Sequence, residues 1–131
     1  MQTKRLVLAY VDAINAHDVD RIVDLSASDH RFVDAYGETT PAEKLRAAWS
    51  GYFKFMPTYG IQLEDVICDG DLAAVFGFAH GSLPSSGAGD RSWRRPAAWR
   101  ARVKGDKVQL WQVYVDTKIV FDLMSQATSS R

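Results

Sequence analysis

The chain has 131 residues, 47% of them apolar, with 16 basic and 16 acidic side chains and hence no formal net charge. That length suits one domain with a single core spanning residues 1–131, and the charge balance argues against a nucleic-acid footprint or a funnel for acidic substrates. The single cysteine, Cys68, can form no internal disulfide, no Cys/His spacing reads as a zinc site, and no run of about 18 apolar residues suggests a membrane span, so a soluble cytoplasmic protein is expected.

Residues 3–16 place Leu6, Val7, Tyr10, Val11, Ala13 and Ile14 on one side of a 3.6-residue wheel, which predicts an amphipathic helix. Asn15-Ala16-His17 breaks it, and Asp18 can cap a short second helix carrying Val19, Ile22, Val23 and Leu25. A strand is expected around residues 30–36. Successive side chains on a strand alternate between faces, so Asp34 shares a face with Phe32 and Tyr36. Either that face is buried, placing a carboxylate in the core where desolvation raises its pKa, or Val33 is buried and Asp34 is solvated.

Thr40-Pro41-Ala42-Glu43 has the form of a helix start, with Thr as N-cap, Pro at the first position and Glu closing a capping box. The helix should run to Met56, stopped by Pro57, with Trp49, Tyr52, Phe53 and Met56 on its apolar stripe. From residue 61 the period becomes two. Residues 61–68 and 72–81 form a hairpin turning at Asp69-Gly70, and residues 93–103 and 107–116 form another turning at Gly105-Asp106. Leu83–Asp90, rich in Gly and Ser, is expected to be a mobile loop, and a short helix should occupy residues 117–124. On the second strand Phe76, Phe78 and His80 share a face expected to point inward, as are Trp93 and Trp99 on the third and Tyr114 on the fourth. The order αα-β-α-ββββ indicates an α+β domain, helices packed on the concave face of a curved antiparallel sheet.

The segment from Val7 to Asp20, with Tyr10 followed by Asn15-Ala16-His17-Asp18, and then Asp34 at the end of the first strand, resembles the ketosteroid-isomerase-like members of the NTF2-like superfamily, which includes the SnoaL-like proteins. The resemblance implies an NTF2-like (cystatin-like) cone, Tyr10 as oxyanion-hole donor, and Asp34 as general base. It also covers isomerases, polyketide cyclases, dehydratases, epoxide hydrolases and non-catalytic domains, so fold alone does not select a chemistry. Ketosteroid isomerases add a protonated aspartic acid on the third hairpin strand. Counting forward from Pro96 puts Ala98 there, and counting back from the hairpin puts Trp99 there; only Trp99 can donate, through its indole N–H. Nor does Leu110–Asp116 reproduce the aspartate arrangement of the epoxide hydrolases, and a dehydratase pair of histidines is not evident.

The expected chemistry is proton transfer by Asp34 from a small, apolar, oxygenated substrate such as an enone, lactone or polyketide fragment, with Tyr10 stabilising the developing oxyanion and no cofactor or metal required. The rival is a non-catalytic ligand-binding or dimerisation domain. The outer sheet face, read as Arg94, Arg100 and Arg102 mixed with Val75, Trp111, Val113 and Val115, suggests a sheet-to-sheet homodimer centred on Trp111.

Overall fold

The computed structural model describes residues 2–83 and 91–129. Helices α1 (Gln2–Asn15) and α2 (Val19–Leu25) lead into β1 (Ser26–Val33) and a short β2 (Thr39–Pro41). A 3-10 turn (Ala42–Lys44) and α3 (Leu45–Phe55) follow, then β3 (Gly60–Asp69), β4 (Leu72–Ser82), β5 (Ser92–Lys104), β6 (Lys107–Val115) and α4 (Lys118–Ser129). The six strands form one curved, unclosed sheet in the order β2-β1-β6-β5-β4-β3, an α+β cone of the NTF2-like kind. The sheet is mixed rather than wholly antiparallel, because β1 runs parallel to β6.

The stripe of α1 is the stripe its periodicity predicts: Leu6, Val7, Tyr10, Val11, Ala13 and Ile14 are all buried. The helix ends with His17 at φ 54°, a left-handed conformation that costs a non-glycine residue energy. What holds the turn is the Asn15 side chain. Its Oδ1 accepts from the Ile61 amide at 2.7 Å and its Nδ2 donates to the Ile61 carbonyl at 3.0 Å, so one side-chain amide partners the free edge of β3.

β1 begins earlier than expected, at Ser26, and α4 runs on to Ser129, but the boundaries that matter for the site lie at the end of β1 and the start of α3. The first strand ends at Val33, because the Asp34 and Glu38 backbones pair and return the chain as β2, with Phe32 opposite Thr40. Thr40 and Pro41 are therefore strand residues rather than an N-cap and first turn, and α3 begins only at Leu45. The ladder bonds gained by Thr39–Pro41 displace the capping box that the local sequence favours. Of the loop expected over residues 83–90, residues 84–90 lie outside the described residues.

The larger corrections concern which faces are buried. On β4 the inward residues are Ala73, Val75, Gly77, Ala79 and Gly81, so Phe76, Phe78 and His80 project from the outer face instead. The inner face carries small residues because large ones from elsewhere press on it. A Cβ on Gly81 would lie 2.8 Å from Met56 Cγ and 3.3 Å from the Trp93 ring. On the outer face the Arg94 guanidinium sits 3.6 Å above the Phe78 ring, and Ile67, Phe76 and Tyr114 are exposed.

On β6 the cause is a bulge. Lys104 pairs with Lys107 and Val103 with Val108, but Arg102 pairs with Leu110, so Gln109 is the extra residue. A one-residue slip exchanges the two faces of a strand. Beyond the bulge Trp111 and Val113 share the face of Trp99, opposite Ala101 and Trp99 respectively, and Tyr114 turns outward. Trp111, expected at the centre of a dimer surface, lies instead under α1, its ring 5.1 Å from that of Tyr10 and 6.4 Å from that of Trp99.

The glycines separate crowding from propensity. A Cβ at Gly77 would approach the Gln62 carbonyl oxygen to 1.9 Å, beside the β3 irregularity at Leu63/Asp65, whereas a Cβ at Gly51, within α3, meets nothing within 4 Å. Gly77→Ala should destabilise the fold by about 1–3 kcal/mol or more, and Gly51→Ala should stabilise it by roughly 0.5–1 kcal/mol. Urea unfolding of the two variants beside the parent measures both signs.

Candidate functional site

A cavity of about 520 Å³ opens between α3, the inner face of β1, β5 and β6, the turn after β1, and α4. Its size lies within the usual range for a small-molecule site. All four tryptophans of the chain, Trp49, Trp93, Trp99 and Trp111, line it, with Phe32, Tyr52, Met56 and Tyr59. The rings lock one another in place: Phe32 and Trp49 at 5.4 Å between centroids, Trp49 edge-on to Tyr52 at 6.4 Å, Tyr52 edge-on to Tyr59 at 5.0 Å. Such offset and edge contacts are the favoured aromatic geometries and fix the cavity's shape.

The indole nitrogens behind this wall expose no surface to the cavity. The indole Nε1 atoms of Trp49, Trp93 and Trp99 are buried without a hydrogen-bond acceptor. Trp99 Nε1 is near enough to the Tyr59 hydroxyl to ease its ionisation slightly. Burial pushes the Tyr52 hydroxyl up to about 12, and burial, then the neighbouring Tyr52, pushes Tyr59 further in the same direction. Both phenols stay protonated at neutral pH.

Asp34 stands at the rim, half-buried, as the first residue of the turn rather than a core position. Its Oδ1 accepts from the Tyr36 amide at 2.9 Å and the Glu38 amide at 3.0 Å, an Asx-type arrangement that closes the β1–β2 turn. Among the described residues nothing donates to Oδ2. A second carboxylate, Asp116, lines the rim where β6 ends; its Oδ1 accepts from the Lys118 amide at 2.9 Å, and Oδ2 lies 3.6 Å from Arg95.

Tyr10 is not brought to this cavity. It is fully buried, and its hydroxyl is 3.0 Å from Ser26 Oγ and 3.4 Å from His30 Nε2. Ser26 Oγ donates to the Ile22 carbonyl at 2.7 Å, so its remaining capacity toward Tyr10 is as acceptor and the phenol is the donor. His30 Nδ1 donates to the Val108 carbonyl at 2.6 Å, leaving Nε2 as a second acceptor for Tyr10. Burial raises the Tyr10 pKa and lowers that of His30, which keeps both neutral. The network ties α1 to α2, β1 and β6.

Of the residues expected to line the site, Asp34, Trp49, Tyr52, Met56, Trp93 and Trp99 do so. Phe53 instead stacks on His17 with centroids 3.9 Å apart, and Phe76, Phe78 and Tyr114 face outward. His80 lines a separate open groove beside Asn15, His17 and Gly60. The lining residues that sequence reasoning missed, Trp111 and Val113 above all, share the face of Trp99 only because of the bulge at Gln109. Tyr59, just beyond the α3 stop, carried no periodic signal. No group of three or more metal-ligating side chains occurs, and no helix is long and apolar enough to cross a membrane, both among the described residues.

The SnoaL-like domain matches residues 7–111, from α1 through Trp111. The chain belongs to the SnoaL-like domain family. Among solved structures, a protein of ketosteroid-isomerase-like fold from Catenulispora acidiphila, in complex with trimethylamine, aligns over 94% of each chain at 19% identity and a TM-score of 0.81. A putative SnoaL-like polyketide cyclase from Shewanella denitrificans covers 95% of this chain and 97% of its own at 14% identity and TM-score 0.81. IdmH, a putative polyketide cyclase from Streptomyces antibioticus, covers 95% and 99% at 17% identity and TM-score 0.78. At these identities the likeness establishes the fold of this SnoaL-like chain. No curated protein matches it.

Tyr10→Phe removes the one hydroxyl hydrogen that the Ser26 and His30 acceptors share, so it should cost about 1–3 kcal/mol in urea unfolding while leaving ligand-induced changes in tryptophan fluorescence intact. His30 supplies a pH test. Its folded pKa lies below the usual 6.5, so the unfolded chain takes up a proton first as pH falls, and stability present above about pH 6.5 is lost as pH drops toward the folded value. Unfolding measured between pH 7.5 and 5 should show this loss, and His30→Gln should flatten it.

Proposed function

We propose that this SnoaL-like protein binds a small, apolar, oxygenated molecule in the tryptophan-lined cavity and acts on it by proton transfer, as an isomerase, cyclase or lyase without a cofactor. The observation that carries this reading is the combination in one enclosure of an aromatic wall and a carboxylate at its rim. Asp34 takes a proton from a carbon next to a carbonyl through the oxygen its turn leaves unused. The negative charge that develops on the substrate oxygen needs donors that are already in place and poorly hydrated, each worth roughly 3 kcal/mol. Trp99, which lines the cavity, is assigned the role expected of Tyr10, whose own proton is committed within the buried network. Tyr10 is then a positioning residue, holding β1 and β6 in the register that sets Asp34 opposite the tryptophans.

The resulting enolate either accepts a proton at another carbon, which isomerises the substrate, or attacks a second carbonyl, which closes a ring. The putative cyclases from Shewanella denitrificans and Streptomyces antibioticus support the second outcome, and the trimethylamine complex supports a small guest in this fold. We retain a homodimer through the sheet in this reading, with Ile67, Phe76 and Tyr114 on the outer face in the place expected of Trp111.

The rival reading, a non-catalytic binding domain, is favoured by one feature: two backbone amides already hold Asp34 Oδ1, as in a purely structural turn. Asp34→Asn separates the two, since its carboxamide oxygen still accepts both amides. Incubated in D2O with a simple cyclic enone, the parent should speed exchange of the α- and γ-protons, and the variant should lose about 100-fold or more of that rate by NMR. An unaccelerated parent, or a variant as fast as the parent, would sink the catalytic reading and leave the binding one.

A further inference from the structure

An arginine shares the cavity face of the sheet. On β5 the side chains of Trp93, Arg95, Ala97 and Trp99 alternate onto one face, and Arg95 pairs with Ala79 of β4. Trp93, Trp99 and Ala79 all line the cavity, so Arg95 stands between two of its tryptophans, at its edge. Its Nε is buried without a hydrogen-bond acceptor, yet 37% of the side chain is exposed, which leaves Nη1 and Nη2 as the donors a ligand can reach. Nη2 lies 3.6 Å from Oδ2 of Asp116, a residue of the cavity rim. That separation is beyond a hydrogen bond, and an ion pair so exposed contributes little stability. Asp116 gives its other oxygen to the Lys118 amide at 2.9 Å, so its carboxylate does not grip the guanidinium with both oxygens. Two other arginines of β5 are better matched: Arg94 donates to Gln62 Oε1 at 2.9 Å from above the Phe78 ring, and Arg102 donates to Asp71 at 3.0 Å.

From this placement we infer that Arg95 is an anion anchor at the rim, taking the carboxylate of a ligand whose apolar body lies against the aromatic wall. The inference rests on the reading of the cavity as a small-molecule site and names the class of molecule, an apolar monocarboxylic acid. The terminal nitrogens of a guanidinium form a planar fork that matches the two oxygens of a carboxylate, and such charge-assisted pairs are about twice as strong as neutral hydrogen bonds. A free ligand can adopt that geometry, whereas Asp116 is tied by one oxygen to the first turn of α4. Asp116 then competes with the ligand for the same cation. With Asp34 also at the rim, the mouth carries two carboxylates beside this arginine, which suits a ligand with one acidic group and disfavours a second.

Cyclohexylacetate, cyclohexylacetamide and cyclohexylacetone test this, because they share one apolar ring and nearly one shape and differ in the charge of the head. Binding is read at about pH 7.5, where the acid is ionised, from the fluorescence of the four tryptophans, all of which line the cavity. The parent should bind the acid about tenfold tighter than the amide. In Arg95→Gln that ratio should fall to about one or below, and Arg95→Lys, which keeps the charge but loses the fork, should lie between the two. Asp116→Asn should raise the ratio, since it removes the competing charge while its carboxamide oxygen can still accept from the Lys118 amide. Raising salt from about 20 to about 300 mM should lower the ratio in the parent and leave that of Arg95→Gln in place.

The outcomes separate. If none of the three compounds alters the fluorescence, the small-molecule reading of the cavity fails and takes this inference with it. If the amide and ketone bind but the acid binds no tighter, or if Arg95→Gln keeps the parent's ratio, only the role given to Arg95 is overturned. A ratio lowered by Asp116→Asn overturns it too, because the ligand and Asp116 would then not be competing for one guanidinium.

Discussion

One extra residue in β6 decides the inside of this protein. With Lys104 opposite Lys107 the tight turn at Gly105-Asp106 starts a register that would carry Trp111 to the outer face, beside Arg100. Gln109 interrupts it, and from Leu110 onward every side chain of β6 exchanges faces. Trp111 then meets Tyr10 and Trp99, Val113 and Val115 join the cavity, and Tyr114 is expelled to solvent. Without the bulge the core would lose its central indole and the cavity one of its walls.

The buried network around Tyr10 depends on the same alignment. His30 reaches the Val108 carbonyl because β1 lies parallel to β6 just before the bulge, and Phe32 pairs with Trp111 just after it. The network is closed by hydrogen bonds: the Tyr10 hydroxyl shares its one hydrogen between Ser26 Oγ and His30 Nε2, Ser26 Oγ donates to the Ile22 carbonyl, and His30 Nδ1 donates to the Val108 carbonyl. Such a set is stable only when complete, because any orphaned member would carry the full cost of desolvation. It fixes the direction in which β1 leaves the core, and Asp34 is the first residue beyond. The link from core to rim is thus a matter of position, with no charged group buried in between.

A division of labour follows between the two ends of the cavity. The inner end is built from rings that hold one another, on α3 and the sheet. Its outer end is α4, whose first turn is held by Asp116. Rings that hold one another in place favour a defined orientation of whatever the cavity admits.

The sequence by itself determined the elements and the family. A 3.6-residue stripe in α1, Asp18 as the cap of α2, two Gly-Asp or Asp-Gly turns and the Tyr10-to-Asp34 spacing were enough for the cone, since each is a local signal that tertiary packing did not override. It also placed Asp34, Trp49, Tyr52, Met56, Trp93 and Trp99 around one cavity, because helix and strand periodicity orient those side chains without reference to neighbouring strands. Only the tertiary structure decided the faces of β4 and β6 and the fate of Tyr10. Phe76 and Phe78 look like core residues by size, but the inner face of β4 had to be small to admit Met56 and Trp93. Thr40 and Pro41 look like a helix start, but β1 offered a ladder. The bulge at Gln109 leaves no local mark, since nothing in Val108-Gln109-Leu110-Trp111 distinguishes an extra residue from an alternating one until Arg102 and Arg31 pair on either side. Faces and registers are properties of pairs of strands, and a single strand read alone does not contain them.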